Sequence, residues 1–495
     1  MAAVLLAGCG TSVASEAGAG TGSTTSGAGT TVSTTAAVTD ATTVADALAG
    51  NVQVEAGDTS YDEADAVEVT LSGSSATSES SAVTSEDGTV SITAAGTYRL
   101  SGELAGQVVV NSTADGVVRL VLDDARITSE TTAAVNVVDA ESVVVVLAEG
   151  SSNALTDAAT YDDTSADAPT AALYSTADLT IGGSGSLVVT GNANNGIVGK
   201  DGLVISGGTI EVTSVDDGVI GKDYLVVSDG DVTVDAVDDG LKSDNTTDTG
   251  AGFVLVEGGT VTVTSQDDAI KGVQVLVSGG TIDVAGSNEA MEGSVILIDD
   301  GDIELHSADD GVNVASSDDS AATDGVAGGP PGGGEMAADD SLALVINGGT
   351  IEVWSSGDGL DSNGNATITG GDITVYGPTT DGNGAIDVNG TFEVSGGSLA
   401  AAGSAGMMVA PSNDSSQGWI ASALTATAAA GSEVLITDED GDEVATYTIQ
   451  KDFASIVFSS ADVESGATYT VTVDGTETTV TAGEAPTGGR GPMGR

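Results

Sequence analysis

The stretch GLVISGGTIEVTSVDDGVIGKD, residues 202–223, decides the fold. It holds three short apolar runs separated by a glycine turn and an acidic turn. Leu203 to Ile205 precede the glycines, Ile210 to Val212 follow them, and Val219 with Ile220 follows Asp216 and Asp217. The glycine turn ISGGTIEV at 205 returns as VSDGDVTV at 227, VEGGTVTV at 256, VSGGTIDV at 277, IDDGDIEL at 298, INGGTIEV at 346, ITGGDITV at 368 and VSGGSLAA at 394. The steps are 22, 29, 21, 21, 48, 22 and 26 residues. A base period of 21 to 22, lengthened where loops are inserted, predicts an all-β parallel β-helix with three short strands per coil. A hairpin fold would need chain-reversing turns and no fixed period.

Alternation within each unit puts one apolar column inward. The second strand supplies Ile210, Val232, Val261, Ile282, Ile303, Ile351, Ile373 and Leu399; the third supplies Val219, Leu241, Ile270, Met291, Val312, Leu360 and Ile386. Loops are expected after Leu241 (SDNTTDTGAG) and after Val312, where a long Gly- and Pro-rich insertion begins. Residues 96–128 read as first, less regular coils. Downstream, EVLITDEDGDEVATYTIQ (433–450) is a hairpin signal, and two further strand-like runs follow it. Such a β module can cap the open end of a stack, whose bare strand edge invites aggregation. The expected organisation is a signal remnant at 1–9, a low-complexity tether at 10–60, the β-helix at 61–415, the β cap at 416–482 and a tail at 483–495.

Seventy-five Asp and Glu face ten Lys and Arg, a net charge of −65. Nucleic acid and anionic membrane surfaces repel such a chain, whereas cations suit it. The single cysteine, Cys9, lies in LLAGCGTS, an apolar run ending in small residues that resembles a bacterial lipoprotein signal with Cys9 lipidated. The Ala-, Gly-, Ser- and Thr-rich residues that follow look like a flexible tether. An extracellular monomer, lipid-anchored to the cell membrane and touching it only through that anchor, is expected.

Stacking at about 4.8 Å turns each sequence column into a row of side chains. The acidic turns align as Asp216–Asp217, Asp238–Asp239, Asp267–Asp268, the variant Asn288–Glu289, and Asp309–Asp310. Unit charges so spaced repel by roughly 3 to 4 kcal/mol at an effective dielectric of about 20, so something must neutralise them. Asp-Gly turns that point into water are one reading. Calcium, which gathers six to eight oxygens, is the other, with Asp216, Asp217, Asp238, Asp239, Asp267 and Asp268 as ligands and Asp244 completing a site. Four of the five lysines, Lys200, Lys222, Lys242 and Lys271, follow the acidic turns closely. They compensate charge, or Lys242 or Lys271 serves as a general base beside calcium in β-elimination of an acidic sugar. His306, Trp354 and Tyr376 share one outward column in a chain that is 3% aromatic, and such rings offer faces for sugar C–H groups. No nucleophile–histidine–acid pattern, phosphate loop or zinc spacing is present in the sequence.

The motifs GTYRLSGELAGQVVVNS, LVLDDARITS, AALYSTADLTIGGSGSLVVTGN, GIVGKDGLVISGGTIEV, DDGVIGKD, GDGLDSNG and GSAGMM resemble the bacterial carbohydrate-binding-domain family of right-handed parallel β-helix proteins, over roughly residues 67–480. The resemblance implies a secreted or surface-anchored protein that binds calcium in its β-helix. It also implies binding of polysaccharides such as cellulose and acidic pectic chains. The implied fold is similar to that of calcium-dependent pectate lyases, which combine clustered Asp with a catalytic Lys. Carried onto this chain, the cluster is Asp216, Asp217, Asp238, Asp239 and Asp244, with Lys242 or Lys271 as the base. Arg99, Arg119 and Arg126 all lie in earlier coils, so the uronate-holding arginine of a lyase has no counterpart there. The leading expectation is calcium-dependent, non-catalytic polysaccharide binding at the cell surface. A calcium-dependent pectate lyase and a calcium-rigidified adhesin or spacer are the alternatives.

Overall fold

Residues one period apart in the sequence are hydrogen-bonded neighbours in the structure. The computed structural model describes residues 41–316 and 338–486. The expected tail beyond 486, the insertion at 317–337 with Asp318 and Asp319, and Cys9 lie outside the described residues. Strands pair in parallel with their counterparts one coil on, in three ladders. The first joins Leu203, Leu225, Val254, Val275, Ile296, Leu344, Ala366 and Phe392. In the second, Ile210, Val232, Val261, Ile282, Ile303, Ile351, Ile373 and Leu399 are direct partners. The third joins Val219, Leu241, Ile270, Met291, Val312, Leu360 and Ile386. All three columns are buried in one core. The chain is all-β, as expected. In the coils of residues 202–235 the first two strands run on through the glycine turn, as Gly202–Ser214 and Tyr224–Asp235, with a register shift at Ser206.

The glycine turns stack on one another, and that close approach explains the residue. Gly259 has φ +74, and a Cβ there would lie 2.4 Å from the Gly230 carbonyl oxygen of the preceding coil. Left-handed backbone costs a non-glycine residue roughly 1–2 kcal/mol, and the clash adds to it. Gly259→Ala is therefore expected to destabilise by about 2 kcal/mol or more, measured by chemical denaturation against the exposed control Gly441→Ala. Gly441 shares the positive φ but has open space around its Cβ position.

Both ends are closed. The first coil strand, Val67–Gly73, pairs in parallel with Gly96–Ala105 and antiparallel with Ser75–Thr77. The last strand of the second ladder, Ser398–Gly403, meets Phe453–Ser459 antiparallel, which also pairs with Trp419–Ala428. Beyond it stands a four-stranded sheet in which Ser432–Thr437 lies between Glu443–Ile449 and Thr468–Val473, with Thr476–Thr481 at the edge.

The expected tether does not extend through residue 60. Residues 44–50 form a helix, Val44–Gly50, whose first turn is capped by the Thr43 hydroxyl accepting from the Asp46 N–H at 3.1 Å. Val44 and Ala47 pack on the outward side of the first ladder, against Val226, Phe253, Leu276 and Leu297. The chain then runs back across earlier coils as a strap. The Val52 N–H donates to the Gly250 carbonyl at 2.9 Å, the Glu55 N–H to the Tyr224 hydroxyl at 2.9 Å, and the Gly57 N–H to Thr180 Oγ1 at 2.8 Å. Arg119 holds the Asp58 carbonyl at 2.8 Å. The cause is legible in the first-ladder strands themselves. Runs such as YLVV, FVLV and VILI are apolar without alternation, and a strand apolar on both faces must be covered on both. Val44→Asp is expected to release the strap, seen as lost amide protection across residues 44–57 while the three ladders stay protected.

Candidate functional site

The turns at Asp216–Asp217, Asp238–Asp239 and Asp267–Asp268 each bury the second carboxylate and leave the first half-buried. Asp217, Asp239 and Asp268 are 7%, 1% and 2% exposed, whereas Asp216, Asp238 and Asp267 are half-buried. The buried carboxylates stitch coil to coil. The backbone N–H of Asp217 donates to Asn195 Oδ1 at 3.0 Å, that of Asp239 to Asp217 Oδ1 at 3.2 Å, and that of Asp268 to Asp239 Oδ1 at 3.1 Å. The series breaks at Glu289, which accepts from the Asn313 amide at 2.8 Å instead. It resumes where Asp310 and Asp358 accept the N–H groups of Asp358 and Gly384, each at 2.5 Å. A turn former and a buried acceptor are thus one residue.

Lys242 and Lys271 are direct neighbours in the third ladder. Lys242 Nζ lies 2.7 Å from Asp239 Oδ2 and 3.2 Å from Asp217 Oδ1; Lys271 Nζ lies 2.6 Å from Asp268 Oδ2 and 2.8 Å from Glu292 Oε2. Burial works against both ammonium charges, but the adjoining carboxylates outweigh it and hold both lysines above their ordinary range. Burial raises Asp217 to about 6 against the pull of Lys242. Burial and the hydrogen bond to Glu292 push Asp268 up. Glu292, although buried, is held low by Asp268 and Lys271. A lysine so held favours its protonated form, which works against a role as general base. Lys242 and Lys271, the bases of the alternative lyase reading, are each ion-paired to two carboxylates in this arrangement.

Asp238, Asp239, Lys242, Asp267, Lys271 and Glu292 line one open groove of about 470 Å³ on the outward side of the third ladder. Three groups of carboxylates bring ligand oxygens within 4.8 Å of one another: Asp216, Asp217 and Asp238; Asp239, Asp267 and Asp268; and Asp268, Glu289 and Glu292. Their all-oxygen chemistry suits a hard divalent ion such as calcium. The fit differs among them. Lys242 is bonded to Asp239, and Lys271 to both Asp268 and Glu292, so ammonium already fills the second and third groups. In the first group Lys242 reaches only Asp217, and at the longer distance. A cation is best accommodated at Asp216, Asp217 and Asp238. Asp244 does not complete any of them: it pairs with Lys222 at 2.7 Å, standing one coil beyond that lysine.

The ring column is real, but it is not an open platform. His306, Trp354 and Tyr376 are successive ladder partners. Their rings turn toward one another, His306 to Trp354 at 5.4 Å and 12°, Trp354 to Tyr376 at 4.2 Å and 44°. Tyr376 is 7% exposed inside the cap's apolar cluster, which Trp354 also touches. Lys451 of the cap donates to the Ser355 carbonyl beside them. Only His306, bonded to Glu304 at 2.9 Å, and the edge of Trp354, bonded to Glu352 at 2.7 Å, face outward. Tyr376 is therefore lost as a sugar contact, because the cap that closes the last coil covers it. Asp299 is likewise structural, accepting the Val44 N–H of the strap at 2.9 Å.

Glu292 is the groove residue that acidic-turn reasoning missed. It occupies the lysine column, one coil beyond Lys271, and the signal was the charge reversal along that column: Lys242, Lys271, Glu292, Asn313, Asp361, Asp387.

Residues 86–328 match the family described as carbohydrate-binding domain-containing protein. The matched span holds the whole groove and His306 and stops before Trp354. A protein of that description from Acetivibrio thermocellus is 46% identical over 188 residues, which cover 37% of this chain and 66% of that relative. A solved structure described as the polysaccharide lyase-like protein from C. thermocellum, in a gadolinium derivative, is 32% identical over 47% of this chain and 96% of its own, with a TM-score of 0.44.

Proposed function

We propose that this chain is a non-catalytic polysaccharide-binding protein. Its groove along the third ladder meets the glycan, and calcium at Asp216, Asp217 and Asp238 reinforces the acidic ladder beside it. The family match supports carbohydrate as the ligand class. The observation that carries the non-catalytic reading is the placement of Lys242 and Lys271, each ammonium fixed between two carboxylates. The open groove offers hydroxyl-binding carboxylates and lysines at coil spacing, the kind of wet polar surface that extended sugars use. Calcium would add its own charge there and offer a bridge to sugar oxygens. Retention on insoluble cellulose and on immobilised pectate, with calcium and with chelator, tests the reading. Binding without any growth of unsaturated-uronide absorbance is expected. Absence of retention on every glycan removes the proposal, and calcium-dependent absorbance lost in Lys271→Ala replaces it with a lyase.

We also infer a right-handed winding of the coils, since parallel crossovers take that hand in about 98% of cases; an experimental electron-density map decides it. Surface attachment through Cys9 belongs to the same reading, and loss of palmitate labelling in Cys9→Ala tests it.

A further inference from the structure

We propose that the uncovered face of His306, opposite a β-bulge at Ala285 and Gly286, stacks one sugar ring of the bound polysaccharide. This rests on polysaccharide as the ligand class, not on the third-ladder groove as its only seat. The ring stack continues from His306 in one direction alone. Trp354, one coil on, lies against one face of the imidazole at 5.4 Å and 12°. The opposite face turns toward the preceding coil, where the regular pairing is interrupted. Val284 partners Leu305 and Ser287 partners Ser307, so Ala285 and Gly286 together stand against His306 alone. Two residues opposing one make a bulge, a device that re-aims side chains beside binding sites. Neither bulge residue carries a side chain beyond Cβ. Ala285 is exposed, and a Cβ built at Gly286 would meet nothing within 4 Å. The space facing the imidazole is open.

One coil further back, Thr264 is the ladder partner of Gly286 and is exposed. Thr264 and His306 thus stand two coil spacings apart, roughly 10 Å, with the Ala285–Gly286 backbone between them. A gap of that width admits one ring with van der Waals contact on each side. The backbone there is tied to both neighbouring coils. The Ser265 N–H donates to the Gly286 carbonyl at 3.0 Å, and the Ala308 N–H to the Ser287 carbonyl at 2.8 Å. The imidazole is fixed as well, by Trp354 on one face and by Glu304 at Nε2, 2.9 Å away. A surface held this way loses little freedom when a ligand settles on it. Asp283 and Glu304, ladder partners on the same outward row, supply hydroxyl acceptors beside the slot. A pyranose ring has the matching chemistry: C–H groups on its face for the imidazole, and hydroxyls at its rim for the carboxylates.

Binding isotherms of the full chain on insoluble cellulose and on immobilised pectate test the slot. On whichever glycan retains the wild type, His306→Ala is expected to weaken affinity about three- to tenfold. His306→Phe, which keeps a ring face, is expected to stay within about twofold of the wild type. Gly286→Leu fills the slot from a position whose φ lies outside the left-handed region. It should lose as much affinity as His306→Ala while melting close to the wild type. Thr213→Leu, further back in the same outward column, keeps wild-type binding. His306 is the single histidine of the chain, so its isotope-labelled ring signals report on this site alone. A soluble oligosaccharide of the retained glycan should shift them in the wild type and not in Gly286→Leu. If His306→Phe binds as poorly as His306→Ala, the contact is made by the imidazole nitrogens and stacking is overturned. Full affinity in Gly286→Leu, or ring signals unmoved by saturating oligosaccharide, overturns the slot while leaving polysaccharide binding in place. Retention of the wild type on neither glycan removes both.

Discussion

In chelator, the folded chain is expected to melt at a higher temperature at pH 5 than at pH 8, and Asp361→Asn to remove much of that difference. The reason lies in the coils beyond Lys271, where the lysine column turns acidic and no ammonium replaces it. Burial, together with Asp310, Asp358 and Asp387, raises Asp361 from its ordinary 3.8 to about 8. Burial likewise raises Asp310 to about 7 and Asp358 to about 6. A carboxyl group raised in the folded state holds its proton more tightly there than in the unfolded chain. Its favourable contribution is complete below about pH 4 and is lost as pH climbs through the folded value. The loss therefore spans about pH 4 to 8. For a group as enclosed as Asp361 it amounts to a few kcal/mol, equivalent to several degrees in a chain of this size. Differential scanning calorimetry at the two pH values decides it. A melting temperature that rises with pH, or an Asp361→Asn chain that keeps the wild-type slope, would falsify this account of the acidic coils.

How much of this was legible in the sequence depends on whether a residue's neighbours lie one period away. Ile210 and Val232, or Asp217 and Asp239, meet because the chain returns to the same place after one coil, so the columns could be read directly. The strap could not be read that way. Val44 and Phe253 are far apart in sequence and obey no period, and the strap follows a low-complexity segment whose composition hides Val44, Ala47, Val52 and Val54. Its presence was written instead in its partner, the unalternating first-ladder strands. The covering of Tyr376 is the same kind of long-range event, set by how the cap docks. Glu292 was hidden for a different reason. It shares a ladder position with Lys242 and Lys271, and the change of sign along that position matters more than the residue type at any one coil.

Lys242→Met is expected to be the most damaging single change in the groove, costing on the order of 3–5 kcal/mol, because it leaves Asp217 and Asp239 without their cation while both remain buried. The two carboxylates cannot turn away. Asp217 Oδ1 accepts the Asp239 N–H and Asp239 Oδ1 accepts the Asp268 N–H, so moving either would abandon a buried backbone donor as well. Lys222→Met provides the comparison. Its partner Asp244 is exposed, and an exposed pair is worth about 0–1 kcal/mol, so that variant should melt close to the wild type. Calcium separates structural from metal-binding roles in the same experiment. With Lys242 gone, Asp217 no longer shares its carboxylate between the ammonium and the ion held with Asp216 and Asp238, and Asp239 becomes available as an oxygen ligand beside Asp267 and Asp268. The rise in melting temperature on adding calcium should then be larger in Lys242→Met than in wild type. If calcium raises both equally, the ion binds away from Lys242 and the ladder's carboxylates act only as stitches. If Lys242→Met melts no lower than Lys222→Met, the ammonium is not what neutralises the buried pair.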